Sequence, residues 1–469
     1  MNDRPNVVVV VSDTLRAADV GCYGPTETRT PNIDAFARRA VRFTNAYPES
    51  LPTIPVRRAL HTGRRCFPFP EWHPVKWDIV YLPGWEPMAN DEDTLAENLA
   101  AAGYQTGFVT DTMPYFAPGL NFTRGFWQWE FVRGQQQDRW QSPFSVPRER
   151  LARYGDPDEI MATDPRGIVR YHLANTAHVR SEEDTSTAQV FRWASRFLED
   201  NRSGPPFYLL VDCFDPHEPW EAPEPYFRMY WGDRPYGGRR IVCCQYAPAD
   251  SVGYTAEEIA FIRAHYRGLV TLVDAWFGRF LARLDELGLA ENTAVFLISD
   301  HGTNFCDNPL NVIGKPDYAL YPGVVRLPFL ARLPDGAGAA TTRDELVYNL
   351  DLTATAYDLA GIESAQGIDG RSLLSLVRGT GDWRPREHVT CRYASAVCYI
   401  DQDTWAIGDV ASNPLGIFDR RSDPCCMRPL DDGPRWDAAW GRLLGDAGGP
   451  FRDYRRSRTD AIGRKPLTR

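Results

Sequence analysis

The sequence lacks the marks of an exported, membrane-spanning or nucleic-acid-binding chain. Its opening, Met1-Asn2-Asp3-Arg4-Pro5-Asn6, runs straight into a valine run. It has no basic n-region, no long apolar h-region and no small-residue cleavage site, so no secretory signal is expected. No stretch approaches the roughly 18 to 20 apolar residues of a membrane span. The ten cysteines form no CxxC frame, even at the adjacent pairs Cys243-Cys244 and Cys425-Cys426, which gives a structural zinc site little support. Free thiols and a cytoplasmic location are the expectation. The formal net charge is −10 and the pI about 5.4, which argues against nucleic-acid binding through a broad basic face. Neither nucleic acid nor membrane is expected as a partner. A local cluster of cations can still favour an anion inside one cleft. There is no internal repeat and no low-complexity tract.

What is present is an ordinary globular composition, 43% hydrophobic and 24% charged over 469 residues. That length allows one large domain with a smaller one. Asn6 to Val11 is a continuous β-branched run ending at Ser12-Asp13, the pattern of a strand buried on both faces. The same grammar predicts a helix over 94–102, a strand over 106–109, a helix over 186–199 and a strand over 207–211. A long helical stretch over 256–287, as one or two helices, and a strand over 294–298 follow. Ionisable residues fall repeatedly just after these strands: Asp13, Asp111, the trio Asp215-Pro216-His217, and the pair Asp300-His301. In open α/β sheets ligands sit at that carboxyl edge. Residues 116–180 are rich in Trp, Arg, Gln and Pro and are too long for an ordinary connection. They read as an insertion that shapes a cleft, or equally as a peripheral excursion. A catalytic domain over 1–375 and a small C-terminal domain over 376–469 are expected, with Arg452 to Arg469 a frayed end or a partner arm.

Asp13, Asp300 and His301 offer oxygen and nitrogen ligands suited to a divalent cation. An Asp-His pair alone is equally compatible with a core histidine. Prolines flank Thr53 in Leu51-Pro52-Thr53-Ile54-Pro55-Val56-Arg57, and a helix is expected to start near Pro55. Thr53 would then lie at the positive end of that helix, with Arg57 one turn on. A plain N-cap and a surface arginine fit the same pattern. A histidine between prolines, His217, can protonate a leaving oxygen, and Lys315 can neutralise an anionic one.

Taken in order, these segments resemble the sulfatase family of the alkaline-phosphatase superfamily. The resemblance rests on Asn6 to Arg16, Gly21-Cys22-Tyr23-Gly24, Thr30-Pro31-Asn32-Ile33-Asp34, Val41 to Tyr47, and Thr53-x-Pro55-x-Arg57 with Thr62-Gly63-Arg64. It continues through Ala102-Gly103-Tyr104, Asp215-Pro216-His217, Ser299-Asp300-His301-Gly302, Leu359-Ala360-Gly361 and Ile417-Phe418-Asp419. The resemblance implies an α/β sandwich with a large mixed, mainly parallel sheet between helices, plus a small C-terminal α+β domain. It implies one divalent ion (Ca, Mn, Mg or Zn) held by Asp13, Thr53, Asp300 and His301. Thr53 falls on the nucleophile position, Arg57 would steady it, His217 would meet the leaving group, and Lys315 would bind an equatorial oxygen.

Three departures from the family stand out. Thr53 cannot become formylglycine, which is made from cysteine or serine. Thr14 stands where many sulfatases have a second metal-binding Asp, and the phosphonate monoester hydrolases resemble this sequence in lacking that Asp. Thr110-Asp111-Thr112 replaces a lysine/histidine pair. Thr14 and Asp111 are therefore read as substrate-side residues. The expected activity is hydrolysis of a small anionic sulfate or phosphate/phosphonate ester through a covalent Thr53 intermediate. A transferase or mutase on the same site and an inactive binding protein are the alternatives. Oligomeric state stays open, a homo-oligomer included.

Overall fold

The computed structural model describes residues 4–72, 82–116, 119–163, 167–381 and 383–454. The valine strand Asn6–Ser12 is buried at every residue and lies centrally in a nine-stranded sheet. It pairs in parallel with Phe207–Cys213 on one side and Thr293–Ser299 on the other. Beyond Phe207–Cys213 come Gln105–Thr110 and then Gln128–Phe131, both parallel. Beyond Thr293–Ser299 comes Leu327–Arg332, antiparallel, and then Val41–Tyr47. The register sets Ser12 level with both Cys213 and Ser299. That alignment brings Asp13, Phe214 and Asp300, the next residue of each strand, to one edge.

Apolar side chains from alternate positions of the central strand feed two separate cores, Val7, Val9 and Val11 on one face, Val8 and Val10 on the other. This alternation is the geometric consequence of the two-residue period of a strand. One face packs against the 54–62 and 95–101 helices, the other against Ser186–Asn201 and Ala256–Glu286. Thr94 and Thr255 each open their helix with a reciprocal capping box, satisfying amides that the first turn leaves orphaned.

The structure refines the sequence reading in three places. The 256–287 stretch is one 31-residue helix, not two. Segment 116–180 is not wholly an insertion, because Gln128–Phe131 is the edge strand of the large sheet. Its aromatic, weakly alternating sequence hides this. Thirdly, the small C-terminal sheet of strands within 388–419 recruits Ser50–Leu51, which pairs in parallel with His388–Tyr393. The chain therefore touches the small sheet immediately before Thr53. Trp405, buried, donates its indole N–H to Leu320 O at 3.0 Å and ties the two sheets' layers together. All ten cysteines are unpaired. The basic end beyond Tyr454 lies outside the described residues. Among the described residues no helix is long and apolar enough to cross a membrane.

Candidate active site

Arg57 is the hub of the site. The helix that carries it runs from Ile54 to Thr62, with Pro55 in its first turn and Gly63 at its left-handed end. Arg57 is fully buried. Its Nε and one terminal nitrogen donate to the two oxygens of Asp212 at 2.8 and 2.7 Å. The same nitrogen lies 3.0 Å from Asp13 Oδ2, and the other terminal nitrogen donates to Asp300 Oδ2 at 2.5 Å. Burial alone would lower the arginine's pKa, but Asp212, Asp300 and Asp13 outweigh it and raise it well above the ordinary value.

Three carboxylates around one guanidinium leave an excess of negative charge. Burial, together with the charge of Asp300, pushes the Asp13 carboxyl well above its usual range. Asp13 Oδ2 is buried without a hydrogen bond of sound geometry. Asp13, Asp300 and His301 each offer a ligand atom, and these atoms lie within 4.8 Å of one another. A buried, under-compensated carboxylate set of this kind fits a divalent cation. His301 is tuned to the same end. Its Nδ1 lies 3.0 Å from Gly302 O, an acceptor, so Nδ1 carries the proton and Nε2 keeps its lone pair. Burial holds its pKa down to about 4, so the ring is neutral.

Gly302 is required by a close backbone approach, since a Cβ there would stand 2.1 Å from Gly323 O. Thr53 Oγ1 lies 3.4 Å from His301 Nε2. Thr53 has φ 33° and ψ −79° and, as N-cap, makes no side-chain capping bond. A β-branched residue in that region is strained, and its hydroxyl is left free for another task.

The other predicted residues separate into two groups. Lys315 is buried, donating to Thr14 Oγ1 at 3.3 Å and Glu218 Oε2 at 3.4 Å. Burial lowers its pKa, but Glu218 and Asp13 outweigh this, so it stays charged. His217 stands beside the His301 ring, with centroids 6.5 Å apart. Its Nδ1 is 2.6 Å from Glu218 O and therefore carries the proton, leaving Nε2 bare. Burial depresses its pKa to about 3.

Thr14, at φ 61°, underpins the set. Its amide donates to Asp300 Oδ1 at 3.0 Å and its hydroxyl to Asp13 Oδ1 at 2.7 Å, while Tyr266 clamps its carbonyl at 2.9 Å. Asp111 stands apart. It accepts the Phe214 amide at 2.7 Å and the Gln135 side chain at 3.2 Å, and burial and Asp215 raise its pKa well above normal.

Sequence reasoning missed Asp212 and Glu218. Asp212 interrupts the otherwise apolar run Phe207 to Cys213, and a carboxylate inside a strand buried on both faces demands a cationic partner. Glu218 was hidden beside the more conspicuous His217.

Residues 5–362 match the family model for Sulfatase. The chain belongs to the sulfatase family. It stands among the sulfuric and phosphoric ester hydrolases and has the sulfatase/alkaline-phosphatase-like fold of its structural neighbours. It is 24% identical over 471 residues to the ulvan-active sulfatase of Formosa agariphila, covering 96% of this chain and 83% of that one. It is also 24% identical to PehA of Trinickia caryophylli, a multifunctional alkaline phosphatase superfamily protein, covering 93% of each. Among solved structures, the phosphonate monoester hydrolase of Agrobacterium radiobacter superposes with a TM-score of 0.71 at 20% identity, covering 95% of this chain and 94% of that one.

Proposed function

We propose that this protein hydrolyses a sulfate or phosphate/phosphonate ester in a divalent-metal-dependent reaction through a covalent bond to Thr53. The observation that carries this reading is the Thr53 hydroxyl itself. It is strained, uncapped and 3.4 Å from the lone-pair nitrogen of His301. Asp13, Asp300 and His301, with Thr53, would hold the cation. When bound, it would neutralise the carboxylates and polarise the ester and the threonine hydroxyl.

The chain's own residues supply the rest. Arg57 fixes Asp13, Asp300 and the Thr53 carbonyl, its terminal nitrogen reaching Thr53 O at 3.3 Å. Lys315 places a positive charge beside Thr14, where a non-bridging oxygen can be met. Thr53 Oγ attacks sulfur or phosphorus, and the ester oxygen leaves as the bond to it breaks. The proton released by Thr53 is lost to solvent, and His217, taking up a proton from solvent at its bare Nε2, gives it to the leaving alcohol. Water then attacks the same sulfur or phosphorus and restores the threonine hydroxyl. Threonine lacks the geminal hydroxyl by which a formylglycine hydrate expels its sulfate. The second attack at phosphorus or sulfur is therefore the only exit, a route better suited to phosphate and phosphonate than to sulfate. The names of the relatives span both chemistries.

The test is turnover of matched nitrophenyl sulfate, phosphate monoester, phosphate diester and phosphonate esters, metal-free and with Ca²⁺, Mn²⁺, Mg²⁺ or Zn²⁺. Thr53→Ala and Asp300→Asn run in parallel. Metal-dependent turnover abolished by both supports the reading. Turnover that survives both removes it.

A further inference from the structure

A cavity of about 970 Å³ opens beside the candidate site. Its walls come from Val132 to Gln135 after the edge strand, from Tyr154 and His172 within 116–180, and from Asp215, Pro219 and Glu221. The edge strand stands three places from the Asp13 strand, a distance of about 15 Å at the usual strand spacing. Asp215 is two residues from His217. Gln135 joins the two regions, donating to Asp111 at 3.2 Å and Asp215 at 3.3 Å. The cavity thus lies along the same carboxyl edge as the candidate site.

The lining charges are unevenly satisfied. Its carboxylates are mostly engaged. Glu221 takes His172 Nε2 at 2.8 Å and the Tyr154 hydroxyl. Glu182 takes Tyr226 at 2.6 Å and Arg279 at 2.5 Å. Asp184 takes the Arg180 and Ser181 amides at 2.9 and 3.1 Å. Glu224 is matched by Arg228 at 2.8 Å. Among the described residues Glu130 alone of the lining carboxylates has no such partner.

Two of the lining guanidiniums are engaged as well, Arg133 with both oxygens of Asp138 at 2.7 Å and Arg180 with the Ala177 and Val179 carbonyls at 2.8 and 3.0 Å, but the other three are not. Arg153 and Arg240, both exposed, make no side-chain hydrogen bond or ion pair with any described residue. Arg150 reaches the Thr176 hydroxyl only at 3.4 Å, long for a hydrogen bond. The charges of Arg150 and Arg240 converge on Tyr154. Trp140, Tyr154 and Trp193 add aromatic surface to the same cavity. Guanidinium forks match the oxygens of sulfate, phosphate and carboxylate.

We propose that the cavity receives the alcohol portion of the substrate and that Arg153 and Arg240, with Arg150, bind a second anionic group on it. The substrate class is then a polyanionic ester, with one anionic ester cleaved and another anion held at the cavity mouth. This rests on the ester-hydrolase reading.

The test measures inhibition of nitrophenyl-ester turnover by α,ω-alkanediol bisphosphates of graded length, each against the monophosphate of equal length. The enzymes are wild type and the Arg153→Gln/Arg240→Gln double variant. For the wild type, a bisphosphate of fitting length should inhibit roughly tenfold more tightly than its monophosphate. The double variant should lose that advantage while turning over the nitrophenyl ester as before. No gain from the second phosphate at any length, or a gain that survives the substitutions, would overturn the proposal. So would a parallel loss of nitrophenyl turnover in a folded variant. Wild-type failure on every nitrophenyl ester counts against the hydrolase reading instead. Titration calorimetry of the same bisphosphates then still reads the cavity, and arginine-dependent binding upholds the second-anion site.

Discussion

Asp212 holds Arg57 by two parallel hydrogen bonds, 2.8 and 2.7 Å long, and neither side chain is exposed. Asp212 also accepts from Thr112 at 3.1 Å and from Tyr115 at 2.6 Å. It is the only one of the three carboxylates around Arg57 that is not a candidate metal ligand. Asp212 therefore sets where the guanidinium points, independently of any ion.

Asp212→Asn keeps the shape and removes the charge. Breaking one side of a buried pair costs about 3 to 5 kcal/mol. The variant should show a clearly lower urea midpoint. Its kcat should fall at least about tenfold, a barrier change of about 1.4 kcal/mol, as Arg57 loses its fixed orientation. Denaturation curves and steady-state kinetics measure the two effects. A variant of unchanged midpoint and kcat would mean that the pair does neither job.

Glu218 joins Lys315 to His217. Its carboxylate is 3.4 Å from Lys315 Nζ and 3.5 Å from His217 Nδ1. Glu218→Gln leaves the buried lysine with less counter-charge, so its pKa falls and its hold on an anionic oxygen weakens. The expected outcome is a lower kcat/KM with its alkaline limb moved to lower pH. A pH profile with an unmoved limb would confine Glu218 to packing.

His61 lies among Phe108, Tyr115, Phe122 and Phe126, at ring distances from 5.0 to 6.0 Å. Burial first, then Arg57 and Arg58, lower its pKa to about 3. The unfolded chain, with an ordinary value of 6.5, binds a proton that the folded chain refuses between about pH 6.5 and 3. The stability conferred by neutral His61 is complete above pH 6.5 and is lost as pH falls through that window. The slope is about 1.4 kcal/mol per pH unit for each such histidine. His217 at about 3 and His265 at about 4 add to it. His61→Leu should flatten the stability profile by one proton across the window. Urea midpoints between pH 7 and pH 4 check this.

Much of this was legible in the sequence. The valine run, the residues after each strand and the order of the motifs point to the sheet and to Asp13, Thr53, Arg57, His217, Asp300, His301 and Lys315. Lys315 carried a further signal, since the chain has lysine only at 76, 315 and 465. The rest depended on contacts between distant segments. Asp212 and Arg57 are 155 positions apart, and only the packing of the 54–62 helix against the sheet brings them together. Gln128–Phe131 joins the sheet through backbone pairing with Gln105–Thr110, although its side chains alternate poorly. Ser50–Leu51 joins the C-terminal sheet by a pairing that no local pattern announces.

Metal binding should also appear as stability. Asp13, Asp300 and His301 are fully buried, and an ion bound only by the folded chain stabilises it by mass action. At about one hundred times its dissociation constant the gain is about 2.7 kcal/mol. Chelation should lower the thermal midpoint, the fitting divalent ion should restore it, and Asp300→Asn should respond to neither. Equal midpoints with and without chelator would count against the cation site.

The central claim is that Thr53 forms a bond to the transferred group, and its most direct measurement is the mass of the enzyme quenched during turnover. The account predicts a fraction of wild-type chains heavier by one sulfuryl, phosphoryl or phosphonyl group, located on the peptide carrying Thr53. That species should be absent from Thr53→Ala, which should also lose turnover. A Thr53→Ala enzyme that keeps turning over the ester, or an adduct mapped to another residue, would contradict it.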